Sequence, residues 1–125
     1  MVRIKSKYFS EKEFRRCNPP CSLQDMDQDA MTYFDRVRED AGIPLVINSA
    51  YRSTDWEKKQ GRSGNSAHTR GMALDIRCTT SANRFKIVRA LMDNYCTRIG
   101  VGKIFIHADF DPTLPQEVMW DYYEE

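Results

Sequence analysis

Histidine is scarce in this sequence, occurring only at His68 and His107. Any imidazole chemistry is therefore confined to two places. No apolar run approaches the roughly 20 residues that a membrane-spanning helix needs, so insertion into a bilayer is not expected. An excess of one charge is missing as well. Nineteen Lys and Arg against 18 Asp and Glu leave a formal net charge of +1. That balance removes the electrostatic footprint of a nucleic-acid binder or of a protein drawn to an anionic membrane. No internal repeat, low-complexity tract or long linker divides the chain. The basic residues between Met1 and Ser10 have no apolar stretch behind them, so no secretory signal is read there. The expectation is a protein kept in the cytoplasm until lysis, exported by another route, or released.

Cysteine is present without being dense. Cys17 and Cys21 flank Asn18-Pro19-Pro20, and Cys78 and Cys96 stand apart. A structural zinc site needs four ligands, and no second Cys or Cys/His pair stands at zinc-finger spacing. The four cysteines read as one local disulfide or as reduced thiols. The 125 residues suit a single domain, 1–125, with a core of its own and no need of staples. It is expected to be a monomer.

Local signals order the chain. Ser10 to Glu13 forms a capping box that opens a short helix, broken by Asn18-Pro19-Pro20. From Asp27, apolar residues at Ala30, Met31, Phe34, Val37 and Ala41 make a helical stripe that Gly42 ends. Pro44 to Asn48 contains Leu-Val-Ile, a buried strand candidate. Ser53 or Thr54 caps a short helix running to Gln60, with Gly61 beyond it. Residues 62–67 read as loop, and Met72 to Arg77 alternates as a strand. Thr80 or Ser81 caps a further helix, with Phe85, Val88, Leu91, Met92 and Tyr95 as its inner face. Gly100 to Phe110 is β-branched and glycine-punctuated, hence strand. Helices first, then strands interleaved with helices, predict an α+β fold with a small, mainly antiparallel sheet flanked by helices.

Both histidines sit beside acids in strand-like segments. Alternation puts Ala73 and Asp75 on one face of their strand and His107 and Asp109 on one face of theirs. Ala73 leaves room beside Asp75, and Gly71 lets the chain turn from the His68 loop into the strand. Two imidazoles and a carboxylate suit Zn²⁺ and leave a fourth position for water, which zinc makes acidic enough to attack a carbonyl. Taken singly, each residue reads as well as a hydrogen-bonded strand histidine or a buried ion pair. Asp109 is the acid best placed by parity to relay protons.

Three segments carry a resemblance. Ser66-x-His68-x-x-Gly71-x-Ala73-x-Asp75 resembles the S-x-H-x-x-G-x-A-x-D motif of the zinc D-alanyl-D-alanine carboxypeptidases. Those enzymes include bacterial dipeptidases and phage endolysins, and they share a fold with the hedgehog signalling domain. Ser49-Ala50-Tyr51-Arg52-Ser53 resembles their S-x-Y-R segment, and Phe105 to Asp109 their final F-x-H-x-D strand. The resemblance implies His68, Asp75 and His107 as zinc ligands, Arg52 as a grip for substrate or developing oxyanion, and Ser66 as a substrate contact. It implies peptidoglycan stem peptides with D-amino acids as the substrate, cut by a carboxypeptidase or a cell-wall endopeptidase. A non-catalytic zinc-containing binding or phage structural module of the same fold is the alternative. One position departs from the pattern. Many members carry Glu or Asp three residues before the final histidine, where this chain has Ile104. The base must then come from elsewhere: Asp109 first, with Glu57 and Glu117 as further candidates.

Overall fold

The computed structural model describes residues 2–123. Four α-helices and five strands follow one another as α1 (Glu11–Arg15), α2 (Gln28–Ala41), β1 (Ile47–Ser49), α3 (Thr54–Lys59), β2 (Ala73–Arg77), α4 (Ser81–Asp93), β3 (Arg98–Val101), β4 (Phe105–Asp109) and β5 (Val118–Asp121). A 3₁₀ turn, Leu23–Asp25, precedes α2. The strands form one sheet in the order β1-β2-β4-β3-β5. Every neighbouring pair is antiparallel except β3 and β5.

The caps explain where the helices begin. Ser10 and Glu13 close their box on α1. Asp27, Ser53 and Thr80 accept backbone N–H bonds at the starts of α2, α3 and α4, each such cap being worth about 1 kcal/mol. Gly42 ends α2 in the left-handed region.

Strand alternation divides the sheet into a core face and a site face. Leu74, Ile76, Ile99, Ile106 and Ala108 are buried on the first, beneath Met31, Phe34 and Val37 of α2 and Ile87 and Leu91 of α4. Burying each of these large side chains stabilises the fold by about 1.5–3 kcal/mol. The opposite face carries Ala73 and Asp75, then His107 and Asp109, then Arg98 and Gly100. Register lines them up across the sheet. Ser49 pairs with Asp75, Asp75 with His107, His107 with Gly100, and Gly100 with Trp120. One row of five residues therefore crosses all five strands.

The inner face of α4 differs from expectation. Phe85, Met92 and Tyr95 are 68%, 55% and 76% exposed, while Ile87, Ala90, Leu91 and Asn94 are buried. Two stripes run along this helix, and packing selects the one with Ala90, where α4 meets α2 and β4. Asn94 on that stripe also bonds Asp40 of α2. The Leu-Val-Ile segment yields only a short strand, with Val46 exposed. Gly100 to Phe110 is two strands, β3 and β4, joined through a turn that Gly102 closes by donating to the Phe105 carbonyl. The four cysteines are free thiols, three of them buried.

Candidate metal centre

His68 is held from two sides by the segment that follows β1. Its carbonyl accepts from Arg52 N, and its ring Nδ1 lies 2.6 Å from the Ala50 carbonyl. A carbonyl only accepts, so Nδ1 carries a proton, and in the neutral ring Nε2 presents its lone pair. The chain then turns sharply at Gly71, whose φ is +71°. Space forbids a side chain there too: a Cβ would lie 2.5 Å from the Asp25 carbonyl oxygen and 3.0 Å from Met26 Cα. The same approach lets Asp27 N donate to the Gly71 carbonyl. The turn that aims His68 is thus fastened to the start of α2.

Asp75 Oδ1 is where the histidines meet. It lies 3.3 Å from His68 Nε2 and 3.0 Å from His107 Nδ1. The three donor atoms fall within 4.8 Å of one another. The other carboxylate oxygen, Oδ2, receives Arg52 Nη2 at 2.9 Å. Burial opposes the charge on Asp75, but hydrogen bonds from His107 and His68 hold its carboxyl well below the usual range. Burial likewise opposes the charge on His107, yet its bonds to Asp109 and Asp75 raise its pKa. A neutral His107 with its proton on Nε2 would turn two imidazole lone pairs and a carboxylate oxygen toward one another. A cation resolves that convergence.

Asp109 stands behind His107. Its Oδ2 is 2.7 Å from His107 Nε2, and its Oδ1 accepts from Arg98 Nε at 2.8 Å and from Asp111 N at 3.2 Å. Parity put Asp109 and His107 on one face, and so they are. Both Asp109 oxygens are nevertheless engaged, and its side chain is fully buried. Arg52 is equally committed. Besides Asp75 it reaches Ser49 Oγ at 3.0 Å and Glu57 Oε2 at 3.6 Å, with its guanidinium near the Trp56 ring. Ser66 Oγ donates to the same Glu57 oxygen at 2.7 Å.

These residues line a cleft of about 450 Å³, open to solvent above the site face. Arg52, Glu57, Ser66, His68, Asp75, His107 and Asp109 all border it. Glu117 and Ile104 do not. Ile104 is exposed in the β3–β4 turn, and Glu117 lies along a groove with Met92 and Met119. Of the two further acids, Glu57 is thus brought to the cleft and Glu117 is not. Arg98, Trp120 and Tyr122 also line it, and sequence reasoning missed them. Splitting Gly100 to Phe110 at Gly102 would have exposed the Arg98–Asp109 pairing. Nothing local marks the β5 residues.

The donor set fits zinc. Two imidazole nitrogens and a carboxylate oxygen converge, and each histidine has its far nitrogen held by a carbonyl or a carboxylate. That back-bonding is the usual support of metal-bound imidazole. The family model for Peptidase M15 matches residues 7–109. The chain belongs to the Peptidase M15 family. It is accordingly of the metallopeptidase type, and His68, Asp75, His107 and Asp109 all fall inside the matched span. No curated protein matches the chain. Of β5, which supplies Trp120 to the cleft, nothing lies within the M15 match.

Proposed function

We propose that this M15 family member is a zinc-dependent hydrolase of peptidoglycan stem peptides, cutting bonds that involve D-amino acids. The observation that carries this is the meeting of His68 Nε2 and His107 Nδ1 at Asp75 Oδ1, with both rings braced from behind. His68, Asp75 and His107 would hold the metal. Zinc held there supplies a Lewis acid and lowers the pKa of water toward neutrality.

The remaining roles follow from the contacts. Asp109 fixes the His107 proton on Nε2 and leaves Nδ1 free to bind. It is assigned as a positioning residue, since it is fully buried and both of its oxygens already accept hydrogen bonds from His107, Arg98 and Asp111. Arg52 does for Asp75 what Asp109 does for His107: it occupies Oδ2 and turns Oδ1 toward the imidazoles. Glu57 is the cleft acid with an oxygen to spare. Ser66 and Arg52 hold its Oε2, and Oε1 has no protein partner among the described residues. Oε1 is therefore the atom assigned to take a proton during attack and return it to the leaving amine. Stem peptides suit the cleft because it is polar on the Ser66 and Arg52 side and aromatic on the Trp120 side.

The test is digestion of purified peptidoglycan by protein loaded with one equivalent of zinc, with released termini identified by mass spectrometry. New amino termini, or released D-alanine, are expected. Stoichiometric zinc with no cleavage of wall or isolated muropeptides would favour a non-catalytic module of the same fold.

A further inference from the structure

β5 lies beyond the family match, yet Trp120 within it and Tyr122 just past its end both line the cleft. Gly100 explains how they come to lie there. It sits in the row of Asp75 and His107, next to Trp120, and a Cβ on it would fall 2.6 Å from Trp120 Nε1 and 2.7 Å from Tyr122 Cε2. The missing side chain is thus the space these two rings fill. Trp120 stands 5.5 Å from the His107 ring, with the Arg98 guanidinium 5.1 Å from its own. Tyr122 packs 5.0 Å from Phe105.

The direction of the Tyr122 ring matters most. Its backbone N donates to the Val101 carbonyl, one residue past the His107 row. Its Cε2, beside the hydroxyl-bearing carbon, has come back over Gly100. The phenol end therefore reaches toward the row that carries His107 and Asp75. Among the described residues the phenol hydroxyl has no hydrogen-bond partner, and the residue is 43% exposed along the cleft, so its proton is free for a partner in the cleft.

We propose that Tyr122 is a substrate-binding residue whose hydroxyl donates to a backbone carbonyl of the bound peptide, and that Gly100 exists to admit the Trp120–Tyr122 wall. A peptide lying along this side of the cleft offers carbonyl acceptors to the phenol and apolar groups to the rings. The inference rests on the proposed substrate class, and two readouts separate their fates.

The first readout is affinity. Zinc-loaded protein is titrated with product muropeptides, which are not turned over, by isothermal calorimetry. Tyr122→Phe keeps the ring and removes only the hydroxyl. It should weaken binding about fivefold, as expected for one neutral hydrogen bond, with zinc content and melting temperature unchanged. The second readout is kinetics on a soluble muropeptide. KM should rise by a similar factor with kcat nearly constant, the signature of a contact made equally in ground and transition states. Gly100→Ala should weaken binding at least as much, because it displaces both rings. Affinity and KM of Tyr122→Phe within twofold of wild type would overturn the assignment whether or not Gly100→Ala folds. A wild-type protein that binds muropeptides without cutting them would sink the peptidase reading and leave this one standing. One that cuts them, with Tyr122→Phe unaffected, would do the reverse.

Discussion

Replacing Asp109 by Asn changes one atom and separates two mechanisms. The wild-type carboxylate accepts from His107 Nε2 at 2.7 Å on one oxygen and from Arg98 Nε and Asp111 N on the other. An amide has one acceptor and one donor. If its oxygen keeps the Arg98 side, its NH₂ meets the Nε2 proton. His107 then relieves the clash only by moving that proton to Nδ1, the atom assigned to the metal. If the amide flips, NH₂ faces the Arg98 and Asp111 donors instead, and a half-buried guanidinium loses its acceptor. Either way the imidazole is less well aimed. Loss of such a partner behind a metal-bound histidine weakens binding about 10- to 100-fold, or about 1.4–2.8 kcal/mol. Fold stability should fall by a further ~1–3 kcal/mol from the unsatisfied buried pair. Zinc affinity is read by competition with a chromophoric chelator, and turnover is read at saturating zinc. The expected outcome is weakened affinity, with turnover largely restored by excess metal. Wild-type affinity combined with a turnover loss of about 10²–10⁴, the range for a missing general base, would refute the positioning role and make Asp109 the base.

Glu57→Gln should show that opposite pattern, retaining zinc and losing turnover by about 10²-fold or more. Normal activity would remove Glu57 from the mechanism. Arg52→Lys should keep one cationic contact to Asp75 but lose the fork that also spans Ser49 and Glu57. Turnover should drop and stability fall by about 2 kcal/mol in urea melts; unchanged values in both would place Arg52 outside the network. Zinc binding should be pH-dependent, because the raised pKa of His107 means that metal displaces a proton from it. Affinity should therefore rise with pH below that pKa, by about tenfold per unit for one proton released. A flat profile in chelator competition between pH 5.5 and 7.5, values bracketing the ordinary histidine range of about 6.5, would contradict this. Gly71→Ala should destabilise by about 3 kcal/mol, combining the cost of its left-handed φ with the clash at the Asp25 carbonyl. A loss below about 1 kcal/mol in urea melts would show that the turn can relax.

The parts of the site that follow from strand alternation were legible in the sequence. Ala73 and Asp75 share a face, as do His107 and Asp109, and Asp75, His107 and Asp109 border the cleft. The caps at Ser10, Ser53 and Thr80 were legible for the same reason, since each depends on atoms a few residues away. What was not legible depends on which strand lies beside which. The β3–β4 turn at Gly102 decides that Arg98 pairs with Asp109, and only that pairing shows both Asp109 oxygens to be in use. The phase of α4 failed for a similar reason. Both of its apolar stripes have helical spacing, and contact with α2 selects the one through Ala90, leaving Phe85 and Met92 in solvent.

Read one at a time, His68, Asp75 and His107 are ordinary residues: a loop histidine bonded to a carbonyl, an acid paired with an arginine, a strand histidine beside an aspartate. Each bond taken separately is a structural one. Their meaning changes because every brace uses up the wrong end of its residue for a structural role. Ala50 takes Nδ1 of His68, Asp109 takes Nε2 of His107, and Arg52 takes Oδ2 of Asp75. With both rings neutral, the three atoms left over are all acceptors, and all three face one another. A fold that only needed satisfied polar groups would not spend three buried partners to create that repulsion. The arrangement is stable when a positive charge occupies its centre. A proton shared through His107 meets that need in part, and a divalent metal ion with nitrogen and oxygen ligands meets it in full.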